Sequence, residues 1–190
     1  MTTAHLPLAS AVLPRKRAVT VALVVSFALL TAAAAQFKVS LPFTPVPITG
    51  QTFAVLLAGG VLGSRAGAAS QVVYWIAGLA FPFYAGGERG WEYATGATGG
   101  YLIGFVAAAW VVGNLAERGQ DRTVASAIPA FLAGTVVIYL FGVPWLASEI
   151  NASWQEAVEL GAVPFVLGDL AKIVLAGVLL PGAWQLTGKR

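Results

Sequence analysis

The chain has 190 residues, enough for one ordinary domain, yet 58% of them are hydrophobic and only 10% charged, against about 25% charged in typical soluble chains. With a mean hydropathy of +0.79, 22 glycines and 10 prolines, the composition fits packed membrane helices and excludes fibrous, disordered and water-soluble classes. The absence of cysteine and a single histidine, His5, exclude disulfide frameworks and thiolate chemistry; no metal and no cofactor are expected, and a net charge of +3 without a long basic stripe predicts no nucleic-acid partner.

Residues 1–17 form a leader that ends in Arg15-Lys16-Arg17. The first apolar window, 18–36, is long enough to cross a bilayer core of about 30 Å. A cleaved signal peptide ending near Ala32-Ala33-Ala34-Ala35-Gln36 is the competing reading, but signal cores are shorter, about 7 to 15 residues. Within this window Ala18 and Ala22, and again Ala28 and Ala32, stand four apart. Such a stripe of small residues suits close helix contact.

The next segment runs Phe37-Lys38-Val39-Ser40-Leu41-Pro42-Phe43-Thr44-Pro45-Val46-Pro47-Ile48-Thr49. Its prolines forbid a helix and stiffen the chain, while its apolar content argues against a freely solvated loop. A strap lying on one face of the protein is expected, with a plain interfacial connector as the alternative. Apolar windows follow at 51–63 and 68–84, joined by a tight Gly63-Ser64-Arg65 turn.

Residues 85–101 carry glycines at 86, 87, 90, 96, 99 and 100, interleaved with Trp91, Tyr93 and Tyr101. Glycine permits close backbone approach and positive φ, so this segment reads as a lid or pocket wall. It holds no phosphate-binding motif, and its rings also suit an interfacial aromatic belt. Further windows lie at 98–115, 124–146 and 163–186. The resulting fold class is all-α: a polytopic membrane protein of six transmembrane helices in a single domain, 18–187, with a three-residue tail at 188–190. Asn151-Ala152-Ser153 matches a glycosylation acceptor by chance, and no internal repeat is evident.

Basic residues fix the expected orientation. With a cytoplasmic N-terminus, Arg15, Lys16, Arg17, Arg65, Arg118, Arg122, Lys189 and Arg190 all fall inside, leaving Lys38 and Arg89 outside. Glu88, Glu92, Glu149, Glu156 and Glu159 fall outside as well. Both termini are therefore expected in the cytoplasm.

The last window contains the chemistry. Asp169 and Lys172 interrupt an apolar helix, at a cost of about 2.5 to 3.5 kcal/mol each near a bilayer centre. Three residues apart, they share a helix face, with Asp169 roughly 9 Å below the outer end. A neutralised pair that merely fixes packing is the plain alternative, yet buried pairs contribute little stability, and intramembrane charges are functional by default. A carboxylate accepts N–H groups while an ammonium donates, so the pair can read a small ligand that carries both donors and acceptors.

Pro42-Phe43-Thr44-Pro45-Val46-Pro47-Ile48-Thr49-Gly50-Gln51-Thr52, then Ala54-Val55-Leu56-Leu57-Ala58-Gly59, Gly99-Gly100-Tyr101-Leu102-Ile103-Gly104-Phe105, Pro164-Phe165 and Gly168-Asp169-x-x-Lys172 together resemble the BioY family of biotin transporters. These are S components of energy-coupling factor transporters. The resemblance spans about residues 18 to 187 and departs at Gly96-Ala97-Thr98, where many relatives have Gly-Pro-Thr. It implies a prokaryotic inner-membrane protein that captures biotin from outside, working with a transmembrane T component and a cytoplasmic ATPase pair, or alone. It places the ureido ring at Asp169 and Lys172 beneath the first outer loop, with Thr44, Gln51, Tyr74, Gly100 and Tyr101 as wall candidates. Arg89, ahead of Lys38, is the expected partner of the valerate carboxylate. The stripe Ala18, Ala22, Ala28 and Ala32 resembles the docking surface for the T component, with bundle packing or a homo-oligomer seam as alternatives. No Walker motif occurs, so ATP is used only by partners and the chain itself is not expected to be an enzyme. An S component for another vitamin, a channel, and an intramembrane transferase using Asp169 are the rival readings.

Overall fold

The computed structural model describes residues 5–14 and 16–188; Arg15, Lys189 and Arg190, counted above for orientation, lie outside the described residues. Each of the six apolar windows falls on a helix: α2 (Arg17–Gln36), α3 (Gln51–Leu62), α4 (Ser64–Ala80), α6 (Gly99–Ala116), α7 (Val124–Glu149) and α9 (Val166–Thr187). Short helices lie between and before them: α1 (Leu8–Val12), α5 (Trp91–Thr95) and α8 (Trp154–Gly161). Four stretches are long and apolar enough to cross a membrane, Arg17–Gln36, Gly99–Ala116, Val124–Glu149 and Trp154–Thr187. At 12 residues, α3 rises only about 18 Å.

Local chemistry explains where helices stop. The third apolar window reads as 68–84, but α4 begins four residues earlier and ends at Ala80. Pro82 disfavours helical geometry at Phe81, which is extended, with φ −112° and ψ 156°. At the other end of α4, Gly63 turns with φ 84°, a region that a side chain rarely adopts. A Cβ there would also meet Glu117 Oε1 and Pro7 Cγ at 2.6 Å. Glu117 reaches the start of α4 from another helix end, its Oε1 accepting from Ser64 N at 2.8 Å and Ser64 Oγ at 2.9 Å. That carboxylate satisfies an orphan donor and complements the helix dipole.

The strap does not remain irregular throughout. Its ends pair as two short antiparallel strands, β1 (Lys38–Val39) and β2 (Ile48–Thr49), in the register Lys38↔Thr49 and Val39↔Ile48. The prolines occupy the loop between them, where no ladder N–H is needed. Thr44 accepts from Val46 N at 3.2 Å and donates to Leu160 O at 2.8 Å, which ties the strap across the bundle end to α8. The glycine-rich segment likewise contains structure, namely α5, and Tyr93 from it stacks on Tyr84 at 5.0 Å.

Two apolar cores fill the bundle. One, at the strap end, gathers Val46, Val55, Tyr74, Tyr101, Phe105, Ile138 and Phe165. The other, at the opposite end, gathers Leu56, Val112, Phe131, Ile173, Leu180 and Trp184. Leu8 and Ala11 of α1 pack on this second core, so part of the basic leader belongs to the folded body. Arg122 closes that end, its guanidinium 3.4 Å from the Trp184 ring centroid. Beside it Asp121 is buried, and burial pushes its carboxyl above the ordinary value against the pull of Trp184 and Arg122. Large apolar side chains such as Val21, Leu29, Leu140, Val174 and Val178 face outward, as expected when lipid rather than water surrounds the helices.

Candidate functional site

The first turn of α3 and the first two turns of α9 bring Thr52, Asp169 and Lys172 together. Lys172 Nζ donates to Asp169 Oδ1 at 2.9 Å and to Thr52 Oγ1 at 3.0 Å. The Thr52 hydroxyl donates in turn to Asp169 Oδ1 at 3.0 Å, so the three groups close a ring of hydrogen bonds. A third helix contributes Tyr139, whose hydroxyl donates to Asp169 Oδ2. Asp169 is only 4% exposed, and every one of these contacts offsets the cost of removing its charge from water.

Above this cluster is a pocket with about 540 Å³ of non-atom space, its open mouth included. Its apolar walls are Leu102, Phe105, Ile138 and Phe165, and the strap supplies Val46 and Pro47. Its polar groups come from Thr49, Gln51, Thr52, Tyr139, Asp169 and Lys172, with Tyr93, Thr98 and Tyr101 completing the lining. Burial pushes the Tyr93 phenol above its ordinary value, which leaves it a neutral group at the wall.

Hydrogen-bond arithmetic shows what this floor can still do. A carboxylate has about four acceptor positions and an ammonium three donors. Asp169 uses three acceptor positions, on Lys172, Thr52 and Tyr139. Lys172 uses two donors. By this count one acceptor position, on Asp169 Oδ2, and one N–H donor of Lys172 are left, and both residues line the apolar-walled pocket. That pairing fits a neutral group carrying a donor next to an acceptor better than a lone inorganic ion.

The residues expected from the sequence divide into those the pocket gathers and those it does not. Asp169, Lys172, Gln51 and Tyr101 line it. Tyr101 is anchored by its hydroxyl to Gly161 O at 2.7 Å. Tyr74 stands behind Gln51 and accepts from its Nε2 at 2.6 Å, fixing the amide while Thr49 donates to Gln51 Oε1 at 2.8 Å. Thr44 lines an adjoining pocket with Lys38, and that pocket shares Pro47 and Tyr93 with the main one.

Gly100 faces α7, not the chamber. A Cβ on it would lie 2.3 Å from Trp145 Cβ and 2.5 Å from Phe141 O, so it permits the close approach of α6 and α7. Arg89 lies in a separate outer hollow together with Glu88, Glu92 and Glu149. The alanine stripe is split as well: Ala28 and Ala32 are buried in the bundle, at 4% and 6% exposure, while Ala18 and Ala22 are exposed. The buried pair therefore serves packing within the chain.

Thr52, Tyr139 and the wall residue Phe165 were not among the expected site residues. Thr52 and Phe165 sit inside the segments that carry the family resemblance, and helical phase gave no ground for choosing them. Tyr139 follows Thr135 by one turn in an otherwise apolar helix, a polar pair that was the available signal.

Helices able to cross a membrane, an apolar outward surface and a buried charged pair beneath an apolar-walled pocket define the class: a multi-pass membrane protein with a candidate small-molecule pocket. Within that class, the chain belongs to the BioY family, whose model matches residues 5–189. A biotin transporter BioY from Rhizobium etli is 37% identical over 149 residues, which covers 74% of this chain and 79% of the relative. A probable biotin transporter BioY from Pyrococcus horikoshii is 40% identical over 160 residues, covering 84% and 92%. The crystal structure of the S-component for biotin from an ECF-type ABC transporter superposes with a TM-score of 0.81 over 94% of this chain and 95% of that one, at 22% identity. The two share a fold.

Proposed function

We propose that this chain binds biotin in the pocket above Asp169 and carries it into the cell as the S component of an energy-coupling factor transporter. The observation that carries the reading is the spare acceptor on Asp169 together with the spare N–H of Lys172. A cyclic urea has N–H groups flanking a carbonyl, so one N–H donates to Asp169 while the carbonyl accepts from Lys172. The bicyclic body then fills the chamber between Phe105, Ile138 and Phe165, and the strap lies over it.

In this reading the six main helices form the domain embedded in the inner membrane of a prokaryote, the 12-residue α3 reaching only part of the way across, with both termini in the cytoplasm. The strap, α5 and α8 then face outward. Two things support the arrangement: the basic residues flanking the opposite end and the fold shared with a biotin S-component. The exposed part of α2, with Ala18 and Ala22, is the surface offered to a T component, and an ATPase pair beneath it supplies the energy. The protein binds and moves its ligand without a catalytic step.

The valerate carboxylate is better served by Lys38 than by Arg89. Lys38 stands in the pocket that adjoins the main chamber at Pro47 and Tyr93, whereas Arg89 shares its hollow with three glutamates.

Calorimetric titration of purified Asp169→Asn with biotin tests the assignment. Hydrogen bonds to charged groups contribute about 1.5 to 3 kcal/mol, so affinity is expected to fall by about 10-fold to 150-fold in protein that still folds, although the loss of the Lys172 counter-ion lowers the thermal midpoint as well. Unchanged affinity in a folded variant would overturn it.

A further inference from the structure

The chamber above Asp169 adjoins two other hollows at the strap end. One is the pocket lined by Lys38, Ser40 and Thr44, and the other is the outer hollow that holds Arg89 and three glutamates. Each pair of these three spaces has a border residue of its own: Pro47 between the chamber and the Lys38 pocket, Thr98 between the chamber and the outer hollow, and Pro45 between the two hollows. Tyr93 lines all three and carries the largest side chain of these four. Its ring therefore stands where the spaces meet.

The fold holds that ring in place. Tyr93 is half-buried and stacks on Tyr84, with ring planes 15° and centroids 5.0 Å apart. Tyr84 is fully buried, donates its hydroxyl to Trp75 O at 2.7 Å and meets Tyr74 edge to face at 5.9 Å. Tyr74 in turn accepts from Gln51 on the chamber wall. Three rings thus run from the junction to a polar group of the chamber. Gly78 makes room for the stack, since a Cβ on it would overlap the Tyr84 ring. The Gly78 carbonyl also accepts from Gly90 N at 2.9 Å, which fixes the start of α5. A ring stacked on a buried, hydrogen-bonded partner has little freedom to swing aside.

In the biotin reading, on which this inference rests, the ureido head sits at Asp169 and Lys172 and the tail leads toward Lys38. The carboxylate then passes between Pro47 and Tyr93, which the chamber and the Lys38 pocket share. The Lys38 pocket is small, about 320 Å³ of non-atom space against about 920 Å³ in the outer hollow, mouths included. Room for a longer tail is found in the outer hollow, and Tyr93 stands between that hollow and the chamber. We propose that Tyr93 sets the tail specificity of the site: it closes the chamber against the outer hollow, so that a bicyclic urea with a short free-acid tail is accepted and one extended through an amide bond is rejected. The rejection is steric, an obstacle to the wrong ligand and not an added contact for the right one.

Displacement of radiolabelled biotin from the purified full chain tests this, with biotin amide and its hydroxypropyl amide as competitors. Both are neutral, so Lys38 does not distinguish them. The wild type is expected to bind the shorter amide about 10-fold or more tightly, the smallest loss that one surplus methylene causes in a closed apolar pocket. Tyr93→Ala, which opens the chamber to the outer hollow, is expected to bring that ratio near one, and Tyr93→Phe, which keeps the ring, to preserve it. Tyr93→Leu keeps an apolar contact with Tyr84 without the reach of the ring, and is expected to lower the ratio even where the alanine variant does not fold. Equal binding of the two amides by the wild type, an undiminished ratio in folded Tyr93→Ala or Tyr93→Leu, or loss of the ratio in Tyr93→Phe would each overturn the proposal while leaving biotin binding intact. A wild type that binds no biotin would overturn the reading of the pocket and this proposal with it.

Discussion

The ammonium of Lys172 stands 3.0 Å from the hydroxyl oxygen of Thr52, a residue 120 positions earlier in the chain. This contact joins the first turn of α3 to α9 and completes the ring around Asp169. It also sets stability and binding in opposition. The ring offsets the cost of a buried charge, and whatever capacity it leaves unused faces the ligand.

Removing Lys172 alone should therefore damage the fold more than removing the whole pair. Lys172→Met leaves Asp169 buried without its counter-ion, a change that typically costs about 3 to 5 kcal/mol. Adding Asp169→Asn is expected to restore most of that loss without restoring biotin affinity. Thermal unfolding in detergent, with calorimetric titration of each variant, checks both halves. A double variant as unstable as the single one would show that the pair is not coupled in this way.

At the mouth, Lys38 and Arg89 make separable predictions. Lys38→Ala is expected to weaken biotin by about 5-fold, the equivalent of about 1 kcal/mol for a partly exposed ion contact, and to leave a neutral biotin amide unaffected. Arg89→Ala should treat acid and amide alike. Competition against labelled biotin reads both ratios, and the opposite pattern would return the carboxylate to Arg89.

On α2, the split of the alanine stripe separates docking from folding. Ala22→Trp enlarges an exposed side chain and is expected to abolish uptake in cells that carry the energising subunits, with biotin binding to the purified protein intact. Ala32→Trp forces an indole into a buried position and should reduce the yield of folded protein, since overpacking costs about 1 to 3 kcal/mol or more. Uptake assays paired with size-exclusion profiles distinguish the two. Normal uptake by Ala22→Trp would remove this surface from the docking assignment.

Gly100 tests whether a residue expected at the pocket wall acts through packing. With Trp145 Cβ 2.3 Å and Phe141 O 2.5 Å from the position of an added Cβ, Gly100→Ala must push α6 from α7. A lowered thermal midpoint is expected, together with weaker biotin binding, because Tyr101 and Tyr139 sit on those two helices. Trp145→Ala removes only Cγ at 2.8 Å and leaves the Cβ and Phe141 O in place, so it is expected to rescue little of the loss. A Gly100→Ala protein that loses binding at an unchanged thermal midpoint would place Gly100 at the ligand instead.

Charges within an apolar run are visible without a fold, which is why Asp169 and Lys172 could be chosen from the chain alone. Composition likewise determined the medium, and the apolar windows located the long helices, because burial in lipid demands continuous hydrophobic length whatever the neighbours. Tyr139, Thr52 and the displacement of Arg89 into an acidic hollow depended on how helices rotate against one another. Rotation is set by side-chain contacts between distant segments, such as Gly100 against Trp145 and Thr44 against Leu160, and those contacts exist only once the bundle has closed. Hydrophobicity belongs to each residue and can be read in order, whereas a binding site is a property of relative position, which only the tertiary structure decides.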